Sequence, residues 1–155
     1  MDIKKKKDSF HARYSAKQRT YEYMIINRLG SLSIYKNKAW HVKKKIDLKL
    51  MQKGANILEG THDFSTFRAS SCSAKSPIKK MLPIKVTKSN DIIKIRLSSK
   101  SFLQNQVRSM VGCLIYLSTY KWSMIYFKKI FLSKKRVNCA PPAPAHGLYL
   151  KKVIY

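Results

Sequence analysis

One arginine inside an apolar helical pattern is the first residue of this sequence that could take part in chemistry. Arg108 lies in the segment SFLQNQVRSMVG at 101–112, at the border of a stripe of apolar residues with helical spacing. A guanidinium at the rim of a core normally requires a partner, most naturally a carboxylate. The alternative is a surface arginine whose stem covers apolar atoms, and the pattern alone favours it. The stripe consists of Leu103, Val107, Met110, Val111, Leu114 and Ile115.

The charge balance predicts the class of partner. The chain has 33 Lys and Arg against 7 Asp and Glu, which gives a formal net charge of +26. A polyanion is expected, because each phosphate neutralised by a lysine or arginine releases counterions; AT-rich coding is an alternative source of the lysines. The sequence has no long amphipathic basic helix, no lipidation signal and no apolar run of the ~20 residues that span a bilayer. We therefore expect a soluble RNA-binding protein without a membrane partner. The N-terminal MDIKKKKDSF is not followed by the apolar core that a secretory signal needs, so we expect the protein to be cytoplasmic.

The cysteines and histidines do not predict a metal site. Cys72, Cys113 and Cys139 are odd in number and far apart, so neither a zinc site nor a disulfide framework is indicated. Cys113 falls beside the apolar stripe and is expected to be a small buried thiol. His11 and His62 have no acidic or thiol neighbour at ligand spacing, and we expect them to form hydrogen bonds or contact RNA.

The hydrophobic patterns predict an α+β domain at 8–155, with a mainly antiparallel sheet and helices packed on one face. A basic segment at 1–7 precedes it. Gly147–Tyr149 is expected to turn the chain into its last strand, and Phe64 and Phe67 are expected in the core. The predicted strands are 20–28, 64–71, 78–88, 91–99 and 148–154, with a turn at Ser89–Asn90. The predicted helices are 48–58 with an Asp47 N-cap, about 102–120, and about 123–132.

Four segments in sequence order resemble the C-terminal half of the bacterial tRNA pseudouridine synthase A family. They are DSFHARYSAKQRTYEY at 8–23, GTHDFSTF at 60–67, the arginine segment, and APAHGLYLKKVIY at 143–155. Each is weak alone, but their order and spacing over nearly the whole chain make the resemblance specific. It implies the C-terminal half of the pseudouridine synthase fold, a homodimer, no cofactor, and isomerisation of uridine in the tRNA anticodon stem-loop, at tRNA positions 38 to 40.

The resemblance also implies roles for individual residues. Tyr21, the first tyrosine of R-x-Y-x-Y, matches the catalytic-site tyrosine that stacks on the flipped target base. Arg108 matches the arginine that pairs with the catalytic aspartate and keeps it ionised. The candidate RNA contacts are His11, Arg13, Arg19 and Arg68, although each of these arginines is equally well explained as a solvated strand residue.

The family's nucleophile is missing from this sequence. In the family, an aspartate in a motif of the form R-T-D-x-G-V-H-A, in the N-terminal half, attacks the substrate, and no aspartate here has that context. We therefore expect this chain to be inactive alone and to require an N-terminal half supplied as a separate chain. Two alternatives stay open: a non-catalytic basic module that binds tRNA or other RNA, and a gene remnant.

Overall fold

The computed structural model describes residues 5–155, which form one mixed sheet and three α-helices. Of the predicted basic segment, residues 1–4 lie outside the described residues. The strands are β1 (Gln18–Ile26), β2 (Trp40–His41), β3 (Gly60–Asp63), β4 (Ile78–Met81), β5 (Lys85–Ser89), β6 (Ile92–Ser99) and β7 (Leu148–Ile154). The helices are α1 (Leu48–Ile57), α2 (Gln106–Ser118) and α3 (Met124–Leu132). No helix in this part of the chain is long and apolar enough to cross a membrane.

Strand β1 lies at the centre of the sheet and is its longest strand. It pairs antiparallel with β6, where Tyr21 faces Leu97, and antiparallel with β7 on its other side. β2 adds a short parallel pairing to the end of β1. β5 and β6 form a hairpin, and β3 and β4 extend the sheet beyond β6. All strand pairs except β1–β2 are antiparallel, so the predicted α+β class is confirmed.

The two faces of the sheet differ sharply. Tyr23 of β1 and Ile95 of β6 point into one core with Met51 of α1 and Met110 of α2, and each of these four side chains is fully buried. Side chains that alternate with them, among them Glu22 of β1 and Lys94 and Arg96 of β6, point to the opposite face, which is mostly polar. The helices therefore cover one face, as predicted, and Tyr21 lies on that covered face.

Two of the three helices begin where the sequence predicts. The Asp47 carboxylate accepts a hydrogen bond from the Leu50 amide at 2.9 Å and caps α1. The Ser123 hydroxyl caps α3 in the same way, through the Tyr126 amide at 3.2 Å. The predicted start of α2 at 102 is wrong: the helix begins at Gln106, because Asn105 has a left-handed backbone with φ of 61°.

The prediction of a strand at 64–71 is wrong. Ser65–Phe67 form a 3₁₀ turn instead, which places Phe64 and Phe67 three residues apart on the same side of the chain. Both rings are buried and pack around Phe131 of α3, with ring centroids 5.7 Å from it. The Thr66 hydroxyl donates to α3 backbone carbonyls, so a residue that looked like the polar side of a strand is buried. The expectation that both phenylalanines belong to the core is confirmed.

The predicted strand at 78–88 is two strands, β4 and β5. Pro83 lies between them and has no backbone N–H to donate to a neighbouring strand. The turn at Ser89–Asn90 is confirmed, with Asn90 in the left-handed region at φ of 51°. The predicted terminal strand matches β7, and a 3₁₀ turn that ends at Gly147 leads into it. No strand predicted from the sequence corresponds to β2 or β3.

Candidate active site

A cleft of about 680 Å³ opens at the N-terminal end of α2. Arg108 and Tyr21, the two residues that the resemblance identifies as catalytic, both line it. Arg13, from the segment before β1, lies at the same cleft. The remaining lining residues are Tyr14, Cys72, Ser73, Ala74, Lys75, Phe102, Leu103, Gln104, Asn105, Gln106, Val107 and Leu148.

Arg108 is half-buried on the first turns of α2 and is fixed by two neighbours. Its Nε donates to the Ala143 carbonyl oxygen at 2.7 Å, and its Nη1 donates to the Asn105 side-chain oxygen at 3.3 Å. The Ala143 amide donates back to the Arg108 carbonyl at 2.9 Å. The segment that contains Ala143 therefore holds both the backbone and the side chain of Arg108, and the guanidinium is aimed before any ligand arrives.

The carboxylate expected beside Arg108 is not supplied by residues 5–155. Arg108 forms no ion pair with a described residue, and no aspartate or glutamate is among the lining residues of the cleft. The described aspartates that bond elsewhere include Asp47, which caps α1, Asp63, which pairs with Lys134, and Asp91, which pairs with Arg28. A positive charge thus faces a cleft that offers it no negative partner.

Tyr21 presents its ring to the cleft beside Arg108. The ring is half-buried and packs edge-to-face on Phe102, with centroids 5.2 Å apart and an interplanar angle of 86°. This contact fixes the orientation of the tyrosine ring and leaves part of it accessible. A ring held in this way can serve as a stacking surface for a planar base.

Tyr23, two residues along the same strand, has a different environment. It is fully buried and its hydroxyl donates to the Pro144 carbonyl at 2.6 Å, so it holds the same segment that binds Arg108. Burial raises the pKa of Tyr23 well above its ordinary value, and the nearby charge of Arg108 opposes that shift. Tyr23 is therefore a neutral hydrogen-bond donor that positions the segment at 143–144.

Of the predicted RNA contacts His11, Arg13 and Arg19, only Arg13 lines the cleft. Arg13 is exposed at the cleft, as expected for a residue that touches a ligand. Arg19 donates to the carbonyl oxygens of Lys100, at 2.6 Å, and of Arg13, so it ties the segment before β1 to the end of β6. His11 Nδ1 accepts hydrogen bonds from the backbone amides of Arg13 and Tyr14 and shapes the turn there. Neither Arg19 nor His11 lines the cleft.

Arg68 also has a structural contact. Its Nη2 donates to the carbonyls of Cys72 and Ala74 at 2.7 and 2.8 Å and so folds the loop that forms one wall of the cleft. The thiol of Cys72 in that wall accepts a hydrogen bond from the Gln104 amide at 3.4 Å. Burial raises the pKa of Cys72, but the amides of Ala74 and Gln104 and the charge of Arg68 outweigh it and lower the pKa.

Three elements of the site were not predicted from the sequence: the Phe102 ring, the left-handed Asn105 and the Ala143 carbonyl. Asn105 carried a signal, since asparagine adopts the left-handed region more readily than most residues and commonly precedes a helix. The Ala143 carbonyl carried none, because any residue has one. Within residues 5–155, no group of three or more His, Cys, Asp or Glu side chains is placed to hold a metal ion.

The α+β fold thus brings Tyr21 and Arg108, the two residues to which the resemblance assigns catalytic roles, to one cleft. The chain belongs to the tRNA pseudouridine synthase family, whose model matches residues 55–155. It is 57% identical over 153 residues to a tRNA pseudouridine synthase A of Pelagibacter ubique, and that match covers 99% of this chain and 62% of the relative.

Two other relatives of the same name also match nearly all of this chain and about three fifths of their own length. The enzyme of Xanthobacter autotrophicus is 45% identical over 148 residues, which are 96% of this chain and 60% of the relative. The enzyme of Ehrlichia canis is 43% identical over 155 residues, all of this chain and 63% of the relative. The chain therefore spans about three fifths of the length of the curated relatives it matches.

Proposed function

We propose that this chain provides part of the active site of a tRNA pseudouridine synthase that acts on uridines of the anticodon stem-loop. Tyr21 stacks on the flipped uridine, and Arg108 binds the nucleophilic aspartate. That aspartate comes from a polypeptide segment outside this sequence. In the proposed reaction the aspartate attacks the flipped uridine, the N1–C1′ glycosidic bond breaks, and the detached base turns and forms a C5–C1′ bond. The proton leaves C5, N1 takes up a proton, and the aspartate is released.

The observation that carries this proposal is the unpaired charge of Arg108. Its Nε and Nη1 are bonded to Ala143 and Asn105, which fix the plane of the guanidinium, and its Nη2 has no partner among the residues the structure describes. A planar guanidinium that is aimed but has no anion is suited to a carboxylate, which it binds through parallel hydrogen bonds. An aspartate inserted there would stay ionised beside the cation.

The charge of the chain supports tRNA as the substrate. Arg13 and Lys75 line the cleft with Arg108, and no acidic side chain among residues 5–155 lines it. Cationic side chains around a cleft bind phosphates and do not discriminate between sequences, whereas the stacking tyrosine selects a base that has left its helix. In this proposal the chain pairs as a homodimer, acts in the cytoplasm and uses no cofactor.

Reconstitution tests the proposal. The portion of the Pelagibacter ubique relative that this chain does not cover is produced separately and mixed with this chain and an unmodified tRNA transcript. We expect no pseudouridine from either component alone and pseudouridine in the anticodon stem-loop from the mixture, detected by chemical mapping of the modified positions. A control mixture carries Asn in place of the nucleophilic aspartate in the supplied portion and should be inactive.

Other outcomes would contradict the proposal in identifiable ways. Turnover by this chain alone would show that the nucleophile lies within it. A mixture that associates and binds tRNA but forms no pseudouridine would favour the non-catalytic RNA-binding module. Failure to bind tRNA at all would favour a gene remnant whose lysines reflect coding bias.

A further inference from the structure

Two cysteines that are far apart in sequence lie side by side next to the segment that holds Arg108. The sulfur atoms of Cys113, on α2, and Cys139 are 3.4 Å apart. Cys113 is 1% exposed, whereas Cys139 is half-buried. Both are free thiols, and the third cysteine, Cys72, lies in the wall of the cleft.

We propose that Cys113 and Cys139 are a redox modification site that a small-molecule disulfide, such as glutathione disulfide, converts into an intramolecular disulfide bond. The sulfur of Cys139 attacks one sulfur of the small disulfide, so that a mixed disulfide forms and one thiolate leaves. The sulfur of Cys113 then attacks Cys139, the second thiolate leaves, and the protein disulfide is complete. The protein loses two protons and two electrons, and the small disulfide is reduced to two thiols.

The chemistry of the two sulfurs favours this order of attack. The hydrogen bond with Cys113 and the charge of Arg136 lower the pKa of Cys139, although burial opposes them. The same hydrogen bond, together with burial, raises the pKa of Cys113. Both shifts favour the thiolate on Cys139 over the thiolate on Cys113, and Cys139 is the more exposed residue of the pair. We therefore assign Cys139 as the attacking nucleophile.

The packing around the pair keeps the two sulfurs together. Gly112 lies so close to the next segment that a Cβ atom built on it would be 2.2 Å from the Pro141 carbonyl oxygen. Arg136 donates to the Ser109 hydroxyl at 2.8 Å on the same side of α2. With the Arg108–Ala143 hydrogen bonds, these contacts dock the segment at 136–143 along α2. The resolving thiol is therefore already in place when the mixed disulfide forms.

The position of the pair links oxidation to the candidate active site. Cys139 precedes Ala143 by four residues, and Cys113 follows Arg108 by five on the same helix. A covalent bond between them would prevent the segment at 139–143 from separating from α2. Oxidation is thus expected to lock the carbonyl that holds the Arg108 side chain, and reduction to leave that segment held by hydrogen bonds and packing alone.

The test uses the full chain with Cys72→Ser, which leaves only the proposed pair. Serine at 72 can still accept the Gln104 amide hydrogen bond. The protein is equilibrated in glutathione buffers of increasing oxidising power, quenched with acid and alkylated, and its intact mass and peptides are measured. We expect a chain about 2 Da lighter than the unalkylated reduced chain, with no alkyl group added, and a Cys113–Cys139 linked peptide. Dithiothreitol should reverse the change, and oxidation should raise the melting temperature by roughly 5–10 °C. Two free thiols that persist in excess glutathione disulfide, or a stable adduct of two glutathiones, would overturn the proposal.

Single-thiol variants in the same background test the order of attack. With Cys113→Ala, Cys139 should accumulate the mixed disulfide with one glutathione, because the resolving sulfur is gone. With Cys139→Ser, the buried Cys113 should react at least about tenfold more slowly. Equal reaction rates at the two positions would contradict the assignment of Cys139 as the attacking sulfur. The linked peptide from the unaltered chain tests the pairing itself even where a variant folds poorly.

Discussion

The Nε atom of Arg108 lies 2.7 Å from the carbonyl oxygen of Ala143, and the amide of Ala143 returns a hydrogen bond to the carbonyl of Arg108 at 2.9 Å. This reciprocal pair joins α2 to the segment before β7. It orients a guanidinium whose expected carboxylate partner is absent from residues 5–155. The described residues therefore fix the orientation of the guanidinium but do not include the carboxylate that it would bind.

Arg108→Ala should lower kcat in the reconstituted mixture at least about 100-fold, because the transition state loses a fixed cation. Arg108→Lys should recover little of that loss, since an ammonium cannot keep the Ala143 bond and also hold a carboxylate through a planar fork. Single-turnover rates at saturating tRNA measure the effect. Lys88→Ala, on an exposed position of β5 outside the cleft, is the matched control and should leave kcat unchanged; a near-normal kcat for Arg108→Ala would contradict the proposed site.

Tyr21→Ala should remove both the stacking surface for the base and the edge-to-face contact with Phe102. Stacking on an aromatic side chain is worth ~1–3 kcal/mol per base, so we expect a 5- to 150-fold loss, roughly, in kcat/KM of the mixture. Tyr21→Phe keeps the ring and should lose far less. If Tyr21→Phe proves as damaging as Tyr21→Ala, the hydroxyl and not the ring carries the function.

Binding of tRNA by this chain should weaken steeply with salt. A protein of net charge +26 that contacts about six to ten phosphates loses on the order of 10³-fold in affinity or more between about 50 and 200 mM salt. Fluorescence anisotropy with labelled tRNA gives the slope of log Kd against log salt. An unrelated RNA of equal length should bind with a similar slope, because phosphate contacts carry no sequence information. An affinity independent of salt would show that the lysines do not serve RNA binding.

Gly147→Ala should destabilise the fold by about 1–3 kcal/mol, because a Cβ atom there would lie 2.7 Å from the Tyr23 ring and 2.9 Å from the Met24 carbonyl oxygen. Urea denaturation monitored by circular dichroism measures the change in free energy of unfolding. Gly30→Ala is the control, since no atom lies within 4 Å of the added Cβ, and its stability should change by less than about 1 kcal/mol. Equal effects of the two substitutions would contradict the close approach of Gly147 to Tyr23.

The stability of the chain should fall in acid partly through Glu22 on the polar face of the sheet. Burial raises the pKa of Glu22, but the hydrogen bond from Arg96 at 2.9 Å and the charges of Lys94, Arg96 and Lys151 outweigh burial and lower it below the ordinary 4.5. A carboxylate with a lowered pKa stabilises the fold above its unfolded pKa, and this contribution disappears as pH falls through the folded pKa.

Glu22→Gln should therefore reduce the free energy of unfolding at neutral pH and flatten its decline below about pH 4.5. Urea midpoints measured from pH 7 down to pH 3 test this. Asp8→Asn, at an exposed position before β1, should keep the profile of the unaltered chain. Parallel profiles for Glu22→Gln and the unaltered chain would show that the Glu22–Arg96 pair does not contribute.

The sequence by itself determined the class of fold, the cap of α1, the position of α3 and the strand β7, and the resemblance proposed Tyr21 and Arg108 as catalytic residues. These features depend on local periodicity, on capping residues and on motifs that are contiguous in the chain. Tertiary contacts determined the features that no local sequence pattern encodes. The segment 64–67, expected to be a strand, forms a buried 3₁₀ turn packed on Phe131. Helix α2 begins later than expected because Asn105 has a left-handed backbone.

The surroundings of the candidate site also depended on long-range packing. The Ala143 carbonyl accepts a hydrogen bond from Arg108, which is 35 residues away in sequence. Cys113 contacts Cys139, which is 26 residues away. A carbonyl is common to every residue and two distant thiols have no spacing rule, so neither contact leaves a signal in the sequence. Only the docking of the segment at 136–143 along α2 brings these groups together, because that docking is set by the packing of the whole core.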